Sequence, residues 1–275
     1  MVASFLITLR EGLEAALIVG IVLGVLRKLG RAGRSRPMWL GVAGAVVVSA
    51  IAGLAFNALG VAFGGRSEEI FEGIAMLLAA GVLTWMTFWM QRQGREVQVE
   101  LERDVRCAVS LGGTWALFSL SFVAVVREGI ETALFMTAAA FSATAGQTLA
   151  GGALGLAVAV LVGWLIFAAG KRLDVRAFFR VTSSLLILFA AGLLSRSIHE
   201  LQEAALLPSL VEHVWDVNPI LDENGPLGSF LKALSGYNGN PSLLEVISYV
   251  GYLVAIGLLN VRGWQRTVRA APSQA

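Results

Sequence analysis

Seven apolar stretches dominate the sequence, at about 4–26, 39–63, 71–90, 113–139, 149–170, 181–198 and 243–261. A bilayer core takes roughly 20 helical residues, and all but the first and fourth stretches, which carry charges, meet that requirement comfortably. Composition agrees: 56% of the 275 residues are hydrophobic and 15% charged, with mean hydropathy +0.74. A soluble domain carries about 25% charged residues. The expected fold is an all-α polytopic membrane protein with seven transmembrane helices. The first stretch lacks a basic leader and is read as a retained helix rather than a cleaved signal.

The loops set an orientation. Arg27, Lys28, Arg31, Arg34 and Arg36 follow the first span; Arg92, Arg95, Arg103 and Arg106, interleaved with acids, follow the third. Lys171, Arg172, Arg176 and Arg180 follow the fifth, and Arg262, Arg266 and Arg269 the seventh. These 16 of the 21 basic residues follow alternate spans and so share one side, which makes that side cytoplasmic, with the N-terminus outside and the C-terminus inside. The grouping also explains the net charge of +2 without nucleic-acid binding. The other side is acidic, with Glu200, Glu203, Glu212, Asp216, Asp222 and Glu223 against Lys232 between spans six and seven. One cysteine, Cys107, excludes an internal disulfide and a cysteine-based metal site.

Within the apolar sequence REGLEA at 10–15 reappears as REGIETA at 127–133, 117 residues later. Charges in hydrocarbon are costly enough to mark function. On a helix Glu11 and Glu14, like Glu128 and Glu131, are i,i+3, while Arg10 and Arg127 stand four before the second glutamate, so each triplet shares a face. Simple arginine–glutamate neutralisation leaves one negative charge per copy uncompensated. Span one begins outside and span four inside, so the expectation is an inverted 3+3 repeat plus a seventh helix, with a substrate site near the midplane. The divisions of this single domain, 1–275, are then a first unit at 1–90, a cytoplasmic loop at 91–112, a second unit at 113–198, an external acidic loop at 199–242 and the seventh helix at 243–261. Gly12 and Gly129 inside the motifs permit either close helix packing or a local break. GGTW at 112–115 points to a non-helical or interfacial start to span four.

Carboxylate oxygens are hard ligands, suited to iron, manganese, magnesium or calcium and poorly matched to a cuprous ion. Two Glu-x-x-Glu pairs brought together would supply four of them, with Arg10 and Arg127 compensating charge from behind. Proton passage is the main competitor, because intramembrane carboxylates also build proton relays. Glu68, Glu69 and Glu72 at the outer start of span three form a candidate entrance. His199, Glu200 and Glu203 at the end of span six form a candidate capture site, with His213 and Asp216 a weaker one. Glu245, Tyr249 and Tyr252 share one face of span seven and are candidates for lining the path. Trp85, Trp89 and Trp264 lie near inner ends and need only an interfacial role. The proline-rich segment 204–241 is expected to form an external cap with a helix at 227–235.

At its motifs the chain resembles the oxidase-dependent iron permease family, the fungal high-affinity iron permeases and their bacterial ferrous and ferric iron uptake relatives. The family mark is Arg-Glu-x-x-Glu in the first and fourth membrane helices, met by Arg10, Glu11, Glu14 and by Arg127, Glu128, Glu131. The resemblance implies a multi-pass protein of the cytoplasmic membrane that carries Fe2+ or Fe3+ as substrate, with the four glutamates as its ligands and no permanently bound cofactor. It also implies a separate iron-oxidising partner outside, either a multicopper oxidase or cupredoxin-like and haem peroxidase components. Membrane lipid is the other partner; no feature of the sequence specifies an oligomer. Two other classes share these carboxylates: a proton-coupled or other divalent-cation transporter, and a membrane-embedded dimetal enzyme.

Overall fold

The structure, a computed structural model, describes all residues except 32, 34, 63, 94, 95, 111–113, 142, 143, 168–174, 210, 224 and 270–275. Arg34, Arg95, Lys171, Arg172, Gly112 and Gly113 therefore lie outside the described residues, as does the side chain of Trp264. Nine helices and no strand occur among the described residues: α1 (Val2–Lys28), α2 (Arg36–Ala62), α3 (Arg66–Gln93), α4 (Glu96–Ser110), α5 (Thr114–Ala140), α6 (Ala145–Phe167), α7 (Val175–Glu203), α8 (Pro226–Ser235) and α9 (Leu243–Arg269). Five of them, α2, α3, α6, α7 and α9, are long and apolar enough to cross a membrane. The other two long helices, α1 and α5 at 27 residues each, are the ones that carry the charged motifs.

The segment expected as a cytoplasmic loop contains α4. Its Val105, Ala108 and Val109 share a buried cluster with Val22, Val25 and Leu26 of α1, Met38 of α2 and Leu117 of α5, while Arg103, Asp104, Arg106 and Cys107 are exposed. Apolar residues at i, i+3 and i+4 bury one helix face here although the segment is rich in charge.

Helix α1 packs on α6, α2 on α5 and α3 on α7, and α1 crosses α5; lighter contacts join α3 to α5 and α1 to α7. These pairings are unchanged when α1, α2 and α3 are exchanged for α5, α6 and α7, whereas the light contacts of α5 with α6 and of α2 with α3 have no equal counterpart. The two principal contacts use the same device. Small residues recur every fourth position on α2 (Gly41, Ala45, Ser49, Gly53) and on α6 (Gly151, Gly155, Ala159, Gly163), which lets membrane helices approach closely. A Cβ added at Gly12 would lie 2.8 Å from the Ala159 Cβ, and one at Gly129 would lie 2.6 Å from the Ser49 Cβ. Gly163 meets Ala16 as closely, at 2.8 Å, while Gly53 faces Ala133 at an ordinary contact distance of 3.7 Å. Both motif glycines lie in unbroken helix, so they serve close packing and not a helix break.

Residues of α1, α3, α5 and α7 form the main core, including Ile7, Met76, Leu83, Met86, Phe135, Leu186 and Leu193. The cap beyond α7 contains α8, close to the helix expected at 227–235. Pro226 starts it with its φ already suited to a helix. Gly236, at φ 69°, ends it while Gly236 N–H and Tyr237 N–H bond back to Lys232 O and Leu231 O. A Cβ at Gly192 would lie 2.6 Å from the Gly236 Cα, so a glycine on α7 seats the end of α8. Val214 N–H to Pro241 O (3.0 Å) and Val217 N–H to Gly239 O (2.8 Å) close the cap on itself.

Candidate metal centre

The crossing of α1 and α5 carries both charged triplets inward. Arg10 and Glu11 are fully buried, Glu128 is 6% exposed, and the side chains of Glu14 and Glu131 are 10% and 12% exposed. One carboxylate oxygen from each of Glu11, Glu128 and Glu131 lies within 4.8 Å of the others. No other group of three or more metal-ligating side chains converges among the described residues. Glu14 stands beside this trio, within electrostatic reach of Glu128, Glu131 and Arg127.

Each arginine holds one side of its carboxylates. Arg10 Nη1 donates to Glu11 Oε1 at 2.9 Å, and its Nε is 3.3 Å from Glu14 Oε1. Arg127 Nε donates to Glu131 Oε1 at 3.0 Å. The second oxygens of Glu11, Glu128 and Glu131 are buried and have no hydrogen-bond partner among the described residues. Buried carboxylate oxygens without donors are costly, on the order of 1–3 kcal/mol each or more for a charged group. Three converging carboxylates that each carry one, in a set of four acids and two bases, make an arrangement whose donors suit a hard multivalent cation.

The two arginines differ. The Arg10 Nη1 and Nη2 groups also donate to Met86 Sδ (3.2 Å) and Met90 Sδ (3.1 Å) on α3. The Arg127 side chain is 37% exposed and its guanidinium lies 4.7 Å from the Trp89 ring centroid. An interfacial role alone is therefore insufficient for Trp89: its ring face is a cation contact. Trp85, stacked on it at 6.3 Å and 59% exposed, fits the interfacial reading. Met86 and Met90 had no distinguishing signal, since methionines four apart ordinarily read as core filler.

Glu68, Glu69, Glu72, Glu200 and Glu203 gather where α3 starts and α7 ends. Ser197 Oγ donates to Gly73 O (2.8 Å) and Arg66 Nε to Ala204 O (2.9 Å), pinning these helix ends together. Glu72 is within electrostatic reach of Glu68, Glu200 and Arg196, and Glu200 of Glu69 and Glu203. His199 is committed at both ring nitrogens, Nδ1 to Glu245 Oε1 (3.1 Å) and Nε2 to Glu203 Oε1 (3.3 Å). Glu245, 2% exposed, also accepts from Asn238 Nδ2 (2.9 Å) and Ser242 N–H (3.2 Å), so it ties α9 to α7 and to the cap. Tyr252 shares a 2.7 Å hydrogen bond with Thr84 Oγ1 of α3, and Tyr249 lines a cavity of about 220 Å3. His213 and His199 line a larger cavity of about 370 Å3 under the cap, which none of the four motif glutamates reaches. Asp216 does not join His213 there; its Oδ1 accepts the Asn218 N–H at 3.0 Å in a local turn.

Comparison with known proteins adds an independent line. The sequence profile of the "Iron permease FTR1 family" matches residues 1–264. The chain is 38% identical to "Ferrous iron permease EfeU" of Escherichia coli O6:K15:H31 (strain 536 / UPEC) over 256 residues, 92% of this chain and 93% of the relative. It is 36% identical to the protein of the same description from Yersinia pestis, covering 92% and 91% of the two chains. No solved structure matches.

Proposed function

Because the chain belongs to the iron permease FTR1 family, and so is a multi-pass iron transporter and not an enzyme, we propose that iron crosses through the carboxylates of Glu11, Glu14, Glu128 and Glu131. The carrying observation is the convergence of three of them, from two different helices, within 4.8 Å, each with a buried unpartnered oxygen. Arg10 and Arg127 hold the opposite oxygens of Glu11 and Glu131 and compensate two of the four negative charges. The remaining two charges favour a cation. Glu14, whose Oε1 lies 3.3 Å from Arg10 Nε without a hydrogen bond, is the fourth carboxylate beside the trio.

We read α1–α3 and α5–α7 as two units of opposite orientation, with α9 the seventh span, the N-terminus outside and the C-terminus in the cytoplasm. The exchange symmetry of the helix pairings supports this, as does the pair of small-residue stripes. The basic residues of the loops support the orientation. The site then lies where the units meet. Glu68, Glu69, Glu72 and Glu200 mark the outer approach, and the cap held by His199 and Glu245 lies over it. Iron arrives at the cytoplasmic membrane from a separate iron-oxidising partner on the outer side.

The test is uptake of radioactive iron by pure protein in liposomes. Glu11→Gln and Glu128→Gln preserve shape and remove the anionic ligand, so both are expected to lose most uptake. Normal uptake by both would move the chemistry elsewhere, and proton flux without iron would favour a relay.

A further inference from the structure

Met86, Trp89 and Met90 occupy one turn of α3, at i, i+3 and i+4, and meet both motif arginines. Arg10 is wholly buried, so protein groups must meet its five N–H donors. Its carboxylate contacts, to Glu11 and Glu14, leave an outer edge that faces the two sulfurs at 3.2 and 3.1 Å. Arg127 meets α3 over the Trp89 ring, its Cζ 4.7 Å from the ring centroid.

The chemistry of these contacts is distinctive. A carboxylate on α3 would have neutralised the guanidinium outright. Thioether sulfur is a weak, neutral acceptor, and an indole face attracts a cation through its quadrupole without carrying net charge. Both can orient a guanidinium while leaving its full charge for the carboxylates on the other side. We propose that Met86, Met90 and Trp89 are positioning residues of the transport site: a neutral cradle on one turn of α3 that aims both arginines at the motif carboxylates and thereby sets how tightly the cation is held. The inference rests on the reading that those carboxylates hold iron. It also makes α3 the element that fixes one motif relative to the other, since a single turn touches both.

Met86→Leu/Met90→Leu keeps apolar volume, a swap that cores tolerate, and removes both sulfur acceptors. Trp89→Leu removes the ring face, and Trp89→Phe retains one. Iron uptake into proteoliposomes, followed across iron concentration with melting in detergent, separates affinity from stability. The double leucine variant should raise the half-saturating iron concentration by about 10–100-fold, the range for groups that orient metal ligands, with little change in melting. Trp89→Leu should raise it less, because Arg127 is partly solvated, and Trp89→Phe should restore it towards wild type. Wild-type half-saturation in the double leucine variant, or Trp89→Phe as impaired as Trp89→Leu, overturns the proposal. If the double variant does not accumulate, the Trp89 pair decides. Glu128→Gln in the same series separates the two failures: an inactive Glu128→Gln with wild-type leucine variants removes only the cradle, whereas an active one removes the iron site itself.

Discussion

Replacing each arginine by lysine tests what the guanidinium contributes beyond charge, and the structure predicts unequal results at the two positions. Arg10 spans Glu11 at 2.9 Å and Glu14 at 3.3 Å from different edges of one rigid fork, with no exposure. A lysine ammonium is a single point on a flexible stem, so it can keep one of those carboxylates and leaves the other without its partner. That exposes the chain to the penalty for a buried unsatisfied group, about 1–3 kcal/mol; Arg10→Ala, which strips both, should cost about 3–5 kcal/mol. Arg127 makes one ion pair, to Glu131 at 3.0 Å, beside its contact with the Trp89 ring, and its side chain is 37% exposed. Solvent screening holds such a pair to about 1 kcal/mol or less. With tenfold per 1.4 kcal/mol, Arg10→Lys should weaken iron uptake about 10–100-fold and Arg127→Lys by less than about tenfold. Uptake per unit of membrane protein, across external iron concentration, measures both. Wild-type kinetics in the two variants, or a larger loss at Arg127 than at Arg10, would refute the reasoning.

Gly129→Ala drives a methyl into Ser49 and should cost about 1–3 kcal/mol by overpacking; adding Ser49→Gly should recover most of it in detergent melting, and simple additivity of two losses would contradict the close approach. Glu245→Gln keeps the shape of the cap tie but weakens its hold on His199, by about 1–3 kcal/mol. Limited proteolysis within 204–241 should accelerate, and an unchanged rate would show that the cap is held otherwise. Cys107 is the single cysteine and is exposed, so a membrane-impermeant maleimide should label it only after permeabilisation. Labelling in intact cells would reverse the proposed orientation.

The charged triplets were legible because ionisable residues stand out in apolar sequence and helical spacing puts them on one face. Their convergence depends on α1 crossing α5, which no local pattern states. The four-residue stripes Gly41–Gly53 and Gly151–Gly163 carried a second repeat signal in plain view, but small residues are common in membrane helices and the match emerges only once Gly129 is seen against Ser49 and Gly12 against Ala159. Helix α4 was hidden by its charges, since its buried face rests on few apolar residues. Glu245 and Tyr252 were expected on one face of α9, and they diverge in partner: one turns to His199 and the cap, the other to Thr84. Trp89 and the two methionines were illegible because their partners are arginines 80 and 76 residues before the methionines and 38 after the tryptophan.

The central claim is that the motif glutamates are the ligands of the transported iron, and iron-edge X-ray absorption on the purified protein reads those ligands directly. Wild-type protein loaded with iron should show a first shell of oxygen with carboxylate character, and Glu11→Gln/Glu128→Gln should lose that bound iron while remaining folded. A first shell containing nitrogen or sulfur, or the same carboxylate-bound iron in the double variant, would contradict the account.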